Sequence, residues 1–184
     1  AARRAGTVKR VVVTSSCAAV TWQDAKSHPA GPDYMWTEDD WQEDNTLEVG
    51  PYRLSKRLAE HAAWDFVKEH KCFELATICP TFIMGPVLTP RVDAESIKFM
   101  KKLIDGSTTE VAGSAFGVID VRNVAQAHLG AMTVDLETEG LRNAHGEARF
   151  IMSSTDTYPQ IQIADALRKS PEFGNAAWPV PNKA

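Results

Sequence analysis

The sequence predicts an α/β fold with a mainly parallel sheet. Three short apolar runs, at 10–16, 73–80 and 148–154, have the composition of strands buried on both faces. Segments with helical periodicity alternate with these runs, as in sheets built from strand–helix–strand units. Ligands of such sheets bind beyond the carboxyl ends of the strands. Residues 14–16 and 80–86 are therefore expected at the binding edge.

The first half of the chain contains one strand and one long helix. It opens with the end of a helix that stops at Gly6, and the strand at 10–16 follows. Residues 23–50 are polar and rich in turn formers, which predicts a surface excursion with one helical turn at 38–42. The next helix starts at Gly50-Pro51 and runs from Tyr52 to about His70. Its apolar residues recur at spacings of three and four: Leu54, Leu58, Ala62 and Phe66.

The second half alternates in the same way. The strand at 73–80 stops at Pro80, and a loop with Gly85 and two further prolines follows at 81–90. A short extended piece at 117–120 ends on Asp120, which can cap the helix after it. The tail at 178–184 is predicted to be irregular. Helices are predicted at 93–106, 121–136 and 158–170.

Composition excludes several classes of function. The net charge of −4 provides no basic footprint for nucleic acid or for an anionic membrane surface. No apolar run approaches the roughly 20 residues that a membrane-spanning helix needs. Cys17, Cys72 and Cys79 lack metal-type spacing, so free thiols in a reducing, cytoplasmic compartment are expected. The five histidines are scattered, and no metal site is predicted.

Four polar residues carry the candidate chemistry. Ser15 and Ser16 end the first strand, and Tyr52 and Lys56 lie one turn apart on the next long helix. An ammonium group near a phenol lowers its pKa, which makes the phenol a better general acid at neutral pH. A serine hydroxyl beside it can hold a carbonyl oxygen for protonation. Since Tyr-x-x-x-Lys alone is common, the interpretation depends on the order strand, serine, Tyr-x-x-x-Lys helix, strand, proline.

That order resembles the extended branch of the short-chain dehydrogenase/reductase superfamily, in the group of dihydroflavonol 4-reductases, cinnamoyl-CoA reductases and yeast-type ketone/aldehyde reductases. The resemblance covers nearly the whole chain, and Asn123 stands where the family usually has an aspartate. The segments that carry it are "AGTVKRVVVTSSCAAV" (5–20), "TEDDW" (37–41), "PYRLSKRLAEHAAWDF" (51–66), "CPTFIMGP" (79–86), "IDVRNVAQAHLGAM" (119–132) and "RFIMSS" (149–154).

The resemblance implies a Rossmann-like, doubly wound sheet and an NAD(P)H-dependent reductase that transfers hydride to a ketone or aldehyde. Tyr52 would donate the proton, Lys56 would assist it and bind the nicotinamide ribose, and Ser16, with Ser15 as second choice, would orient the carbonyl. NADP is expected, with NAD as the alternative. The cofactor residues carried over are Thr14, Ser15, Tyr52, Lys56, Pro80, Thr81 and Ile83. A small substrate lobe is expected at 84–116 and 155–184, with Met84–Arg91 and Ser107–Phe116 around the substrate.

One departure from the family is large. The family's Gly-x-x-Gly-x-x-Gly loop, whose backbone amides bind the pyrophosphate, is not found in this sequence, and Gly113 and Gly117 do not follow a strand as it requires. The sequence is therefore interpreted as the central and C-terminal part of a longer enzyme, with an incomplete sheet. These 184 residues alone are expected to be inactive.

Two alternatives remain open at this point. A nucleotide-sugar epimerase or dehydratase shares the serine, tyrosine and lysine, although "AEHAAWDF" (59–66) favours the reductase group. A non-catalytic subunit with this fold would usually lack the tyrosine or the lysine, and both are present. The active-site stretch "VGPYRLSK" (49–56) differs from that of the cinnamoyl-CoA reductases, so a general carbonyl reductase is predicted. The protein is expected to bind a small carbonyl substrate and to bind neither nucleic acid nor a membrane. It is expected to be a monomer or a homodimer.

Overall fold

The computed structural model describes residues 1–90 and 92–172, which fall into two compact units. The first unit contains Ala1–Thr81 and Arg122–Met152, and the second contains Phe82–Val121 and the chain from Ser153. Each unit has its own three-stranded sheet. Arg91 and the tail predicted at 178–184 lie outside the described residues.

Strands and helices alternate along the chain, which confirms the α/β class. In order, the elements are α1 (Ala2–Ala5), β1 (Arg10–Thr14), single 3-10 turns at Cys17–Ala19 and Ala25–Ser27, α2 (Pro51–His70), β2 (Glu74–Pro80), β3 (Phe82–Met84), α3 (Glu95–Ile104), β4 (Ala115–Asp120), α4 (Val121–Thr133), β5 (Ala148–Met152), β6 (Thr157–Pro159) and α5 (Gln160–Lys169).

The sheet of the first unit is parallel, with the order β1-β2-β5. The central strand β2 is buried from Leu75 to Pro80, as predicted. The prediction of burial on both faces is wrong for β1, whose residues 10–13 are half-buried and whose Thr14 is exposed. The reason is position, because β1 pairs with β2 alone in the described part of the chain. The core of this unit therefore lies around β2.

Helix α2 begins one residue earlier than predicted, at Pro51. Gly50 caps it in the left-handed conformation at φ 72°, and a Cβ there would lie 2.5 Å from Gln23 Oε1 and 2.6 Å from Asn45 Cγ. A side chain at position 50 would therefore collide with the excursion, and glycine also tolerates this backbone conformation.

The apolar residues that recur along α2 are not its most buried side chains. Leu58 is 54% exposed and Phe66 is 37% exposed, whereas Glu60 and Trp64 are buried. Glu60 can be buried because polar side chains of the sheet bind its carboxylate. The buried residues of α2 are therefore a carboxylate, Glu60, and an indole, Trp64. A search for apolar periodicity does not identify such a pair.

The second unit joins β3 to β4 in parallel and β4 to β6 antiparallel. The predicted loop at 81–90 contains β3, and the last helix starts at Gln160 because 157–159 extend along β4. The rings of Phe82, Phe99 and Phe116 pack with centroids 4.6 to 5.6 Å apart. This aromatic cluster thus joins β3 and β4 to α3.

The excursion at 23–50 lacks the helical turn predicted at 38–42. The amide of Asp40 donates to the carbonyl of Thr37 at 3.2 Å, which forms a hydrogen-bonded turn, and the 3-10 turn lies earlier, at Ala25–Ser27. All three cysteines are free thiols. In the described ranges, no helix is both long and apolar enough to cross a bilayer.

Candidate functional site

The carboxyl ends of β1 and β2 form one edge of the first sheet. Beyond β1, the amide of Ser15 continues the ladder by donating to the carbonyl of Ile78 at 2.7 Å. Beyond β2, the amide and hydroxyl of Thr81 both donate to the carbonyl of Met152, at 2.9 and 3.1 Å. The predicted segments at 14–16 and 80–81 therefore lie along the edge where ligands of parallel sheets bind.

Ser16 has an extended backbone at the start of the 3-10 turn Cys17–Ala19, which contacts α2. Its Oγ accepts a hydrogen bond from the amide of Ala18 at 3.1 Å. A hydroxyl that accepts one bond still has its own hydrogen to donate. Ser16 can therefore donate to a carbonyl oxygen brought to this edge.

The neighbouring Ser15 is differently engaged. Its Oγ donates to Oε2 of Glu60 at 2.5 Å. This bond commits the hydroxyl hydrogen of Ser15 to a buried carboxylate. Of the two serines considered from the sequence, the geometry favours Ser16 as the one that can orient a substrate.

Tyr52 and Lys56 lie in the first two turns of α2, as the spacing predicts. The Tyr52 side chain is 62% exposed, and the Nζ atom of Lys56 is 5.4 Å from the centroid of its ring. This distance is within the range of a cation–π contact. No hydrogen bond joins the Tyr52 hydroxyl to Ser16 or Lys56 in the part of the chain that the structure describes. The two side chains on α2 are thus together, and Tyr52 is largely exposed.

Thr14, at the end of β1, is held by α4. Its Oγ1 lies 2.7 Å from Nε2 of His128, and Nδ1 of the same ring lies 2.7 Å from the carbonyl of Val124. Because a carbonyl only accepts, Nδ1 carries the hydrogen, and Nε2 accepts from the threonine. These two contacts make His128 a hydrogen-bonding link between β1 and α4.

The remaining predicted cofactor residues are divided between the units. Pro80 ends β2 opposite Met152, and Thr81 follows it in the first unit. Ile83 belongs to the second unit, where it pairs with Ile119 in the β3–β4 ladder.

The second unit contains an apolar cavity of ≈ 580 Å³. Its walls come from the loop after β3 and from α3. Gly85, at φ 133°, lets this loop approach α4, since a Cβ there would lie 2.9 Å from Cγ1 of Val121. The lining includes Met84, Val87, Leu88, Ile97, Met100 and Ile104.

A buried carboxylate beneath the serines was not predicted from the sequence. Glu60, on α2, accepts hydrogen bonds from Arg149 Nε at 2.8 Å, Thr77 Oγ1 at 2.9 Å and Trp64 Nε1 at 3.3 Å, besides the one from Ser15. The only signal in the sequence is the position of this acid, one turn after Lys56. Burial alone would raise the pKa of Glu60, but the charge of Arg149 and these hydrogen bonds hold it below its usual value.

Curated proteins similar to this chain include two named as reductases. No family model matches it. An NADPH-dependent methylglyoxal reductase of Saccharomyces cerevisiae is 35% identical over 80% of this chain and 46% of its own length. A cinnamoyl-CoA reductase of Medicago truncatula is 37% identical over 66% of this chain and 36% of its own length.

Solved structures agree with these relatives. The yeast methylglyoxal/isovaleraldehyde reductase Gre2, complexed with NADPH, superposes with a TM-score of 0.72 and 26% identity, over 96% of this chain and 51% of that one. The chain spans about half the length of the yeast relatives that it matches. The sheet is accordingly the Rossmann-like one expected. The chain belongs to the extended short-chain dehydrogenase/reductase superfamily, the NAD-dependent epimerase/dehydratase family.

Proposed function

We propose that the complete protein is an NADPH-dependent reductase of ketones or aldehydes in which Tyr52 is the proton donor. The observation that carries this proposal is the pairing of an exposed tyrosine with Lys56 one turn later, on the helix that packs against the turn after Ser16. The yeast relative is named an NADPH-dependent methylglyoxal reductase, and this name supports both the proposed cofactor and the proposed class of reaction.

Each of the three residues has one task. Tyr52 donates its hydroxyl proton to the carbonyl oxygen as negative charge develops there. Lys56 places a positive charge beside the phenol and stabilises the phenolate that remains. Ser16, whose Oγ already accepts from the Ala18 amide, donates its hydrogen to the same carbonyl oxygen and orients it.

The residues present fit the nicotinamide end of the cofactor. When bound, NADPH supplies the hydride. The Lys56 ammonium forms no ion pair with any carboxylate in residues 1–90 and 92–172, so its hydrogens are available to ribose hydroxyls. The other residues proposed to line this end, chiefly with backbone atoms, are Thr14, Ser15, Pro80, Thr81 and Ile83.

The apolar cavity of the second unit supports a substrate with an apolar part. Its ≈ 580 Å³ would accommodate a small aliphatic or aromatic group, and Lys101 is the one charged side chain among its described lining residues. We propose that the loop at Met84–Arg91 and the segment at Ser107–Phe116 surround the substrate.

The test uses the full-length protein with methylglyoxal and NADPH. Oxidation of NADPH is followed for the wild type and for Tyr52→Phe, and NADPH binding is measured by fluorescence. We expect Tyr52→Phe to reduce kcat by about 10²- to 10⁴-fold while NADPH binds as before. Undiminished turnover would refute the acid role. Conversion of UDP-glucose with NAD, with no carbonyl reduction, would instead support the epimerase alternative.

A further inference from the structure

Helix α2 carries one row of polar residues from solvent into the core. Tyr52, Lys56, Glu60 and Trp64 follow one another at spacings of four, which places them on nearly the same face. Tyr52 is 62% exposed, and Glu60 is 2% exposed. The buried carboxylate therefore belongs to the same face as the proposed proton donor, two turns below it.

This carboxylate is bonded to all three strands of the first sheet. Ser15 reaches it from the end of β1, Thr77 from β2 and Arg149 from β5, at 2.5, 2.9 and 2.8 Å. Cys79, also on β2, has its sulfur 3.7 Å from Oε2. One side chain of α2 is thus hydrogen-bonded to every strand of this sheet.

Arg149 extends the network to the excursion. Its guanidinium donates to the carbonyls of Glu38 and Asp40 at 2.8 and 2.7 Å, and its Cζ atom lies 3.6 Å from the ring centroid of Trp41. Trp41 in turn stacks on His61 of α2, with centroids 3.9 Å apart. The segment "TEDDW" (37–41) is therefore anchored to the same helix.

Of these bonds, the one from Ser15 bears directly on the proposed site. Ser15 is the residue before Ser16, so its hydrogen bond ties the strand end that carries Ser16 to the helix that carries Tyr52 and Lys56. Thr77 gives the same carboxylate an equivalent hydroxyl hydrogen bond from the middle of the sheet. The hydrogen bonds from Ser15 and Thr77 to Glu60 are chemically alike, but only Ser15 is next to Ser16 in the chain.

We propose that Glu60, through Ser15, is a positioning residue that sets the separation between Ser16 and the Tyr52–Lys56 pair. This inference rests on the proposed function, because the distance between the hydroxyls matters only if both contact one carbonyl oxygen. Loss of the Ser15 bond would let the strand end shift relative to α2. A misplacement of about 1 Å can reduce an enzymatic rate by roughly 10²-fold.

The experiment compares Ser15→Ala with Thr77→Val in the full-length protein. Each variant removes one hydroxyl bond to Glu60 and leaves the ion pair to Arg149 intact. We expect similar decreases in Tm in the two variants. The kcat for methylglyoxal reduction should fall roughly tenfold to 10²-fold in Ser15→Ala alone, and the Kd for NADPH should be unchanged in Thr77→Val. Equal kcat values in the two variants would overturn the proposal. If Glu60 had a purely structural role, both variants would lower Tm and their kcat values would not differ.

A second measurement separates this inference from the proposed function. Hydrogen exchange is measured at residues 16–20, where the amides of Ala18, Ala19 and Val20 are bonded within the turn. Faster exchange in Ser15→Ala than in Thr77→Val supports positioning, and equal exchange overturns it, even if the wild type does not reduce methylglyoxal. An inactive wild type would refute the proposed substrate, whereas active proteins with equal rates and equal exchange would refute the positioning role alone.

Discussion

Replacing Arg149 by methionine tests the ion pair at the centre of the first unit. The side chains of Arg149 and Glu60 are 1% and 0% exposed, so the variant leaves a carboxylate buried without its counter-charge. The carbonyls of Glu38 and Asp40 lose their donor as well. Removing one partner of a buried pair costs about 3–5 kcal/mol of the free energy of unfolding, and we expect a loss of this size at neutral pH.

The loss should depend on pH. In the wild type the pKa of Glu60 lies below its unfolded value, so the stabilisation is present above the unfolded pKa and disappears as pH falls through the folded pKa. In Arg149→Met the charge and the hydrogen bond of Arg149 are lost, and only the hydrogen bonds from the uncharged donors, Ser15 and Thr77 among them, still oppose the effect of burial. We therefore expect the pKa of Glu60 to rise above its unfolded value of about 4.3, so the folded variant is penalised above that pH. The difference between the two proteins should therefore shrink as pH falls from 7 toward about 4.

Urea denaturation of the full-length protein at both pH values measures this difference, with Arg142→Met as the matched control. Arg142 pairs with Glu137 and Glu74 on the surface, and we expect its loss to cost at most about 1 kcal/mol. A cost for Arg149→Met no greater than the control, or one that stays constant between the two pH values, would refute the reasoning.

Three further outcomes are expected. Lys56→Met should lower kcat and also weaken NADPH binding about tenfold, measured by fluorescence titration, because one charged donor is lost; unchanged affinity would count against its ribose contact. Gly50→Ala should lower the free energy of unfolding by at least about 1–2 kcal/mol, since position 50 has φ 72° and the new methyl would meet Asn45; an unchanged Tm would contradict this. Cys79, whose pKa is raised to about 12 chiefly by burial, should resist maleimide in the native protein and react after unfolding; rapid native labelling would contradict its burial.

Much of the architecture could be predicted from local sequence. Three predicted boundaries agree with the structure within a residue or two: the end of β1 near Thr14, the start of α2 at Gly50-Pro51 and the end of β2 at Pro80. The Tyr52–Lys56 pairing followed from helical spacing alone. These features depend on neighbours in sequence, which is why periodicity and turn residues found them.

Features that depend on distant residues could not be predicted. Glu60 is buried because its partners Thr77 and Arg149, 17 and 89 residues away, satisfy its charge. The apolar pattern of α2 gives no sign of this burial, since such a pattern places a carboxylate in solvent by default. The strands at 82–84 and 157–159 are three residues long, too short to show an alternating pattern.

A crystal structure of the full-length protein with NADPH and an unreactive carbonyl ligand tests the central claim most directly. We predict that the Tyr52 and Ser16 hydroxyls both lie about 2.7–3.0 Å from the carbonyl oxygen, with the Lys56 ammonium at the nicotinamide ribose. A ligand bound with its carbonyl oxygen away from Tyr52, while the tyrosine hydroxyl still faces solvent, would contradict the account.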